Sequence, residues 1–282
     1  MKKACLIITG LLVLLVFISL FLTLFQKNIP LGNRLALIRI EGPIIDAKDA
    51  IDEIKEYTGD KSIKAIVLRV DSPGGAVAPS QEIYEEVKKA VAKKKVVVSM
   101  GSVAASGGYY ISAPATKIIA NPGTLTGSIG VIMEIPNIEK LMDKIGIRTE
   151  VIKSGRHKDI ASAFRSMGKE EREILQGVMD NVHEQFIRAV AEGRKMKVEE
   201  LRKIADGRIF TGEQAKTYGL VDELGTLEDA IKIAADLAGM KEEPEVVSKK
   251  DKLSVLDILR NTFPKEIADI FPTVKIKYLY SP

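Results

Sequence analysis

Between residues 34 and 153, short Val- and Ile-rich runs alternate with helical stripes, and this alternation restricts the chain to layered α/β folds more than any other feature. The runs Leu35 to Ile40, Ile63 to Val70, Val96 to Met100, Lys117 to Ala120, Ile129 to Ile135 and Thr149 to Lys153 are mostly bounded by Gly, Pro, Asn or Asp and read as strands. From Pro79 to Lys93, Ile83, Val87 and Val91 recur every four residues and mark one buried helical stripe. Asn137 to Ile145 predicts a shorter helix closed by Gly146. Strands and helices in this order pack as right-handed crossover units. From Lys169 the period becomes purely helical. Leu175, Val178, Met179, Val182 and Phe186 share one face of a long helix, and further helices are predicted at Val198 to Ala205 and Leu227 to Ala238. This helical part reads as packing and assembly surface.

The N-terminus carries a different signal. After Met1-Lys2-Lys3, the uncharged run from Ala4 to Phe25 would form a helix of roughly 33 Å, against a hydrocarbon core of about 30 Å. It exceeds the apolar region of a signal peptide and lacks a small-x-small cleavage site, so an uncleaved transmembrane anchor is expected. A lipid bilayer then becomes a partner through residues 4–25. The basic head implies a single-pass chain with its large domain outside the cytoplasm, although Lys27, Arg34 and Arg39 blunt that rule. The expected division is a head at 1–3, an anchor at 4–25, a linker at 26–33, one α/β domain at 34–240 and a charged tail at 241–282. Within the tail, Ser254 to Ile270 has the pattern of an amphipathic helix; the remainder reads as loosely held.

Composition narrows the chemistry. Of 282 residues, 46% are hydrophobic, enough for a large core, and the net charge of +4 is spread among interspersed signs, which gives no reason to expect a nucleic-acid partner. The single Cys5 permits no intrachain disulfide or redox pair. Two His without clustered carboxylates do not make a standard zinc site, and no cofactor is expected.

Three segments carry candidate chemistry. Asp71-Ser72-Pro73-Gly74-Gly75 follows a buried strand; it is a common turn pattern, but glycines there also let backbone N–H groups point outward as an oxyanion hole requires. In Met100-Gly101-Ser102-Val103-Ala104-Ala105-Ser106-Gly107-Gly108-Tyr109-Tyr110, small residues leave the Ser106 hydroxyl approachable, and the Gly107 N–H opens the next helix. The same residues equally suit tight helix–strand packing. Alanine at position 104 breaks the G-x-S-x-G elbow and disfavours an α/β-hydrolase. The third segment, Val151 to Ile160, holds Lys158 among Arg156, His157 and Asp159. A lysine acting as base must lose its proton near neutral pH, and lowering a free pKa near 10.4 to about 7.5 takes roughly 4 kcal/mol. Neighbouring cations help, whereas Asp159 would hinder unless it faced elsewhere. His157 is the alternative base; His183, within the long helix, suits a polar surface position.

Together with Asn121-Pro122-Gly123-Thr124-Leu125-Thr126-Gly127-Ser128-Ile129-Gly130, these segments resemble the SppA family of signal peptide peptidases over roughly Arg34 to Gly239. The resemblance implies an α/β fold, a ClpP/crotonase-like spiral of βαβ units with a C-terminal helical part, here preceded by one transmembrane helix. It implies Ser106 as nucleophile, Lys158 as general base, Gly75 and Gly107 as oxyanion donors, and Ser128 as the residue orienting the lysine. The function it implies is that of a membrane-anchored serine endopeptidase with a Ser/Lys dyad, degrading apolar peptides such as remnant signal peptides. The chain is similar to half-length members; in double-length ones, serine and lysine come from different halves. A homo-oligomer in which Lys158 serves a neighbour's Ser106 is thereby implied. A crotonase-type acyl-CoA enzyme and a catalytically silent membrane scaffold stand as the other readings. The terminal Tyr278-Leu279-Tyr280-Ser281-Pro282 either fills the enzyme's own groove or forms a disordered end.

Overall fold

The computed structural model describes residues 14–18, 34–249 and 277–279. After a short helical stretch, α1 (residues 14–18), the domain opens with β1 (Arg34–Glu41), α2 (Lys48–Gly59) and β2 (Ile63–Ser72). The short β3 (Gly74–Ala76) turns into α3 (Val77–Val91), and β4 (Lys95–Ala105) runs into α4 (Gly107–Ser112). Next come β5 (Lys117–Ala120), β6 (Leu125–Gly127), α5 (Glu139–Lys144), the long α6 (Lys169–Arg194), α7 (Val198–Arg202) and β7 (Ile209–Thr211). The remaining elements are α8 (Gly212–Thr217), β8 (Glu223–Leu224), α9 (Leu227–Leu237), β9 (Glu245–Val247) and β10 (Lys277–Leu279).

One sheet, in the order β7-β6-β4-β2-β1-β9 with β5 bridging β4 to β8, organises the domain. Its ladders are parallel except for β7 against β6. Burial on both faces explains why the central strands read as nearly continuous apolar runs. Ile38, Leu68 and Val98 share one core with Ile83, Ile111 and Phe186. Leu37, Val67 and Val97 pack on the opposite face with Ala230 and Ala234 of α9. Phe186 ties α6 to α4 through an edge contact with Tyr110, ring centroids 4.9 Å apart, and is fully buried. Phe186→Ala is expected to lower unfolding free energy by about 3–5 kcal/mol, seen as a fall in the urea midpoint.

Strand β4 runs five residues beyond the expected Met100, because Gly101 to Ala105 hide a strand behind small residues. It changes neighbours along its length, pairing β5 at Val97 to Ser99 and β6 at Val103 to Ala105. The expected strands at Ile129 to Ile135 and Thr149 to Lys153 are absent. Residue 132 carries only an isolated bridge, and the strand beside β6 is β7 instead.

The expected anchor needs correction. Of residues 4–25 only residues 14–18, α1, lie among the described residues. Among the described residues no helix is long and apolar enough to cross a membrane. Among the described residues the architecture is therefore an α/β domain without the expected transmembrane helix. The lipid bilayer as partner, the single-pass membrane location and the extracytoplasmic placement drawn from that helix fall with it. The helix expected at Ser254 to Ile270 lies outside the described residues.

Candidate active site

The segments 71–75, 100–110 and 121–130 meet at the C-terminal ends of β2, β4 and β6. Ala105 pairs with Gly127, so Ser106 and Ser128 leave adjacent strand ends side by side. Both adopt positive φ, 52° and 50°. At Ser106, with ψ −117°, this is a strained strand-to-helix turn of the kind that costs about 1–3 kcal/mol. Its backbone holds it there: the Ser106 N–H donates to Gly127 O at 2.8 Å, and Ser106 O accepts from Tyr110 N at 2.8 Å. Thr126 Oγ1 adds a bond to Ala104 O at 2.7 Å. The elbow geometry is thus present although the G-x-S-x-G spelling is not.

The Ser106 side chain is 1% exposed, and its Oγ has no hydrogen-bond partner among the described residues. A buried hydroxyl without a partner is uncommon and marks a group kept for another use. Beside it, α4 packs onto the glycine strand so closely that a Cβ on Gly107 would lie 3.1 Å from Gly75 N and 2.7 Å from Ser80 Oγ. A Cβ on Gly75 would lie 2.0 Å from Ile44 O. Both positions therefore demand glycine, and the two backbones sequence reading paired as oxyanion donors are neighbours. Asp71 and Ser72 brace the turn: Asp71 Oδ1 accepts from Val103 N at 3.0 Å, and Ser72 Oγ from Gly74 N at 3.1 Å. The bracing roles of Ser72, Asp71 and Thr126 were not legible in the sequence, because a hydroxyl or carboxylate at a strand end has no periodic signature.

On the same glycine strand, β10 lies antiparallel, with Tyr278 opposite Gly75 and Leu279 opposite Gly74. A cavity of about 410 Å³ opens next to Ser128, with Val131, Ile132, Met179 and His183 in its wall. His183 differs from its expected surface position: it is part-buried, and its Nε2 lies 2.7 Å from Ala205 O, to which it must donate. Among the described residues no group of three or more His, Cys, Asp or Glu converges as a metal site would.

Lys158 lies elsewhere. It sits exposed in an irregular turn, its N–H bonded to Gly155 O at 3.1 Å, and a single chain does not bring its amine to Ser106 Oγ. The surrounding loop is held by Arg165. That guanidinium reaches Asp159 Oδ2 through Nε at 2.8 Å and Glu171 Oε2 through Nη1 at 2.8 Å, while Lys153 takes the other Asp159 oxygen. Hydrogen bonds first from Arg165 and then from Lys153 hold the Asp159 carboxyl well below the usual range. Arg165, then the Gly168 N–H, lower Glu171 to about 2. His157, the alternative base, faces Glu170 at 3.6 Å rather than Ser106. The same part of the chain exposes Leu141, Ile145, Ile147, Val151, Ile152 and Phe164, and Ile152 is fully exposed.

Comparison with known proteins gives a consistent family. Residues 88–241 match the family described as peptidase family S49, and residues 38–125 match Clp protease. A Synechocystis sp. protein described as a candidate protease is 47% identical over 74% of this chain and 76% of its own length. Protease 4 of Salmonella typhi is 38% identical over 86% of this chain and 40% of its own. The chloroplastic serine protease SPPA of Arabidopsis thaliana is 35% identical over 79% and 35%. The chain thus spans most of the first relative and well under half of the other two.

Proposed function

Since the chain belongs to peptidase family S49 and is a serine protease of the SppA type, we propose that Ser106 is its nucleophile and Lys158 its general base. The observation that carries this is the buried Ser106 hydroxyl, without a partner among the described residues, on a strained turn against two glycine backbones. In the proposed cycle a neutral Lys158 amine takes the Ser106 proton as Oγ attacks a peptide carbonyl. The N–H groups of Gly75 and Gly107 receive the oxyanion. Lys158 then protonates the leaving amine, and water releases the acyl group from Ser106. Ser128, beside Ser106 on the next strand end, orients the incoming amine. The substrates are extended apolar peptides, such as remnants of signal peptides. Val131, Ile132 and Met179 in the cavity beside Ser128 and the strand pairing already made along β3 support that class.

The base comes from a second copy of the chain. Three features support this: the exposed Lys158, the absence of any partner on Ser106 Oγ among the described residues, and the exposed apolar residues between Leu141 and Phe164. The acyl-CoA and silent-scaffold readings drop out with the family assignment. Complementation tests the arrangement. Ser106→Ala and Lys158→Ala chains, each inactive alone, should regain activity when dissociated, mixed equally and reassembled, because random assembly restores about a quarter of the sites. Mixed assemblies as inert as their parents would mean that each chain builds its own dyad.

A further inference from the structure

The loop that carries Lys158 contains one feature that the dyad reading does not use. The chain places a carboxylate, Asp159, directly after the proposed base. A carboxylate beside an amine favours the protonated, catalytically idle form. Here that carboxylate is fully engaged on the other side. Arg165 Nε bonds Asp159 Oδ2 at 2.8 Å, Arg165 Nη2 bonds Asp159 O at 3.2 Å, and Lys153 pairs with Oδ1. The Asp159 side chain is only 12% exposed. Arg165 is itself anchored to Glu171 in the first turn of α6, and Glu171 Oε2 accepts from Gly168 N at 2.9 Å. The remaining nearby carboxylate, Glu170, is taken by Arg156 and His157. Of the basic residues around this loop, Lys153, Arg156, His157 and Arg165 each have an acidic partner, and Lys158 has none among the described residues.

We propose that Arg165 is a positioning residue for the general base, holding Asp159 back against its own chain so that the Lys158 amine leaves the loop without a carboxylate partner. The clamp is stable where the enzyme works. Both of its carboxylates are depressed, so its contribution is present above their ordinary range and fades only as pH falls toward about 2, where Glu171 titrates. Titration of the clamp therefore cannot mimic a change near neutrality.

This inference rests on the Lys158 assignment, and the experiment separates the two. Turnover of a fluorogenic apolar peptide is measured against pH with the full, assembled chain. Arg165→Gln should move the acid limb of kcat/KM to higher pH by roughly half to one unit, a loss of about three- to tenfold on that limb. Arg165→Gln with Asp159→Asn should return the limb to the wild-type position, a rescue that a merely structural role for Arg165 would not give. Lys153→Ala, which removes one arm of the clamp at the surface, should shift the limb in the same direction by less. An unmoved limb in Arg165→Gln, or a double variant as impaired as the single one, overturns the proposal. If Arg165→Gln does not fold, an unmoved limb in Lys153→Ala overturns it instead. Turnover surviving in Lys158→Ala would sink the assignment of the base itself.

Discussion

Replacing Ser106 by alanine is expected to reduce peptide turnover by about 10³- to 10⁶-fold, and Lys158→Ala to do nearly the same. The reason is chemical. Without the hydroxyl no acyl-enzyme forms, and without the amine that hydroxyl keeps its proton at neutral pH. Because the two act as one unit, the double variant should be hardly worse than either single one. His157→Ala should retain most activity, since its ring faces Glu170 and not the serine. Neither Ser106→Ala nor Lys158→Ala should unfold the domain. Ser106 gives up a side-chain atom that bonds nothing described, and Lys158 is solvent-facing. Wild-type denaturation midpoints alongside lost turnover are the result to look for; a Ser106→Ala protein that still cleaves peptide removes the nucleophile.

The second large effect is expected at Gly75. A methyl group there would lie 2.0 Å from Ile44 O and 2.6 Å from Ile44 C, both backbone atoms that no rotamer change can move aside. Either the Ile44 turn or strand β3 must shift, and the Gly75 N–H shifts with it. Losing one oxyanion donor typically lowers kcat by about 10²- to 10³-fold. The strain should also cost about 1–3 kcal/mol in stability. Gly123→Ala is the control, since an added methyl group there meets nothing within 4 Å. An unchanged kcat in Gly75→Ala would remove that N–H from the oxyanion hole.

Much of this was legible before the fold was known. The central strands announce themselves through Val and Ile because they are buried on both faces, and the stripe of Ile83 and Val87 marks α3 for the same reason. Ser106, Gly75 and Gly107 stood out through small residues at strand ends, and the fold brings them together. Other features are silent in a linear sequence. The last residues of β4 are Gly, Ser, Val and Ala, whose strand character comes from pairing with β6 and not from propensity. The reverse holds at Ile129 to Ile135, where propensity is high but the place beside β6 is taken by β7. The Arg165 clamp joins residues spaced six apart through charge geometry, which no apolar period reports. The apolar run near the N-terminus illustrates the opposite error, in which hydropathy alone suggested an architecture that no described helix supports.

Strand β10 gives the glycine edge an occupant from the chain itself. A peptide arriving in extended form to pair with β3 meets a rung already filled, and must displace it before its own carbonyl can face the oxyanion donors. A competitor carried on the same chain would not be removed by diluting the enzyme. A sequence that paired with that edge more tightly than β10 would gain entry, so selectivity would begin at admission, ahead of any bond being cut.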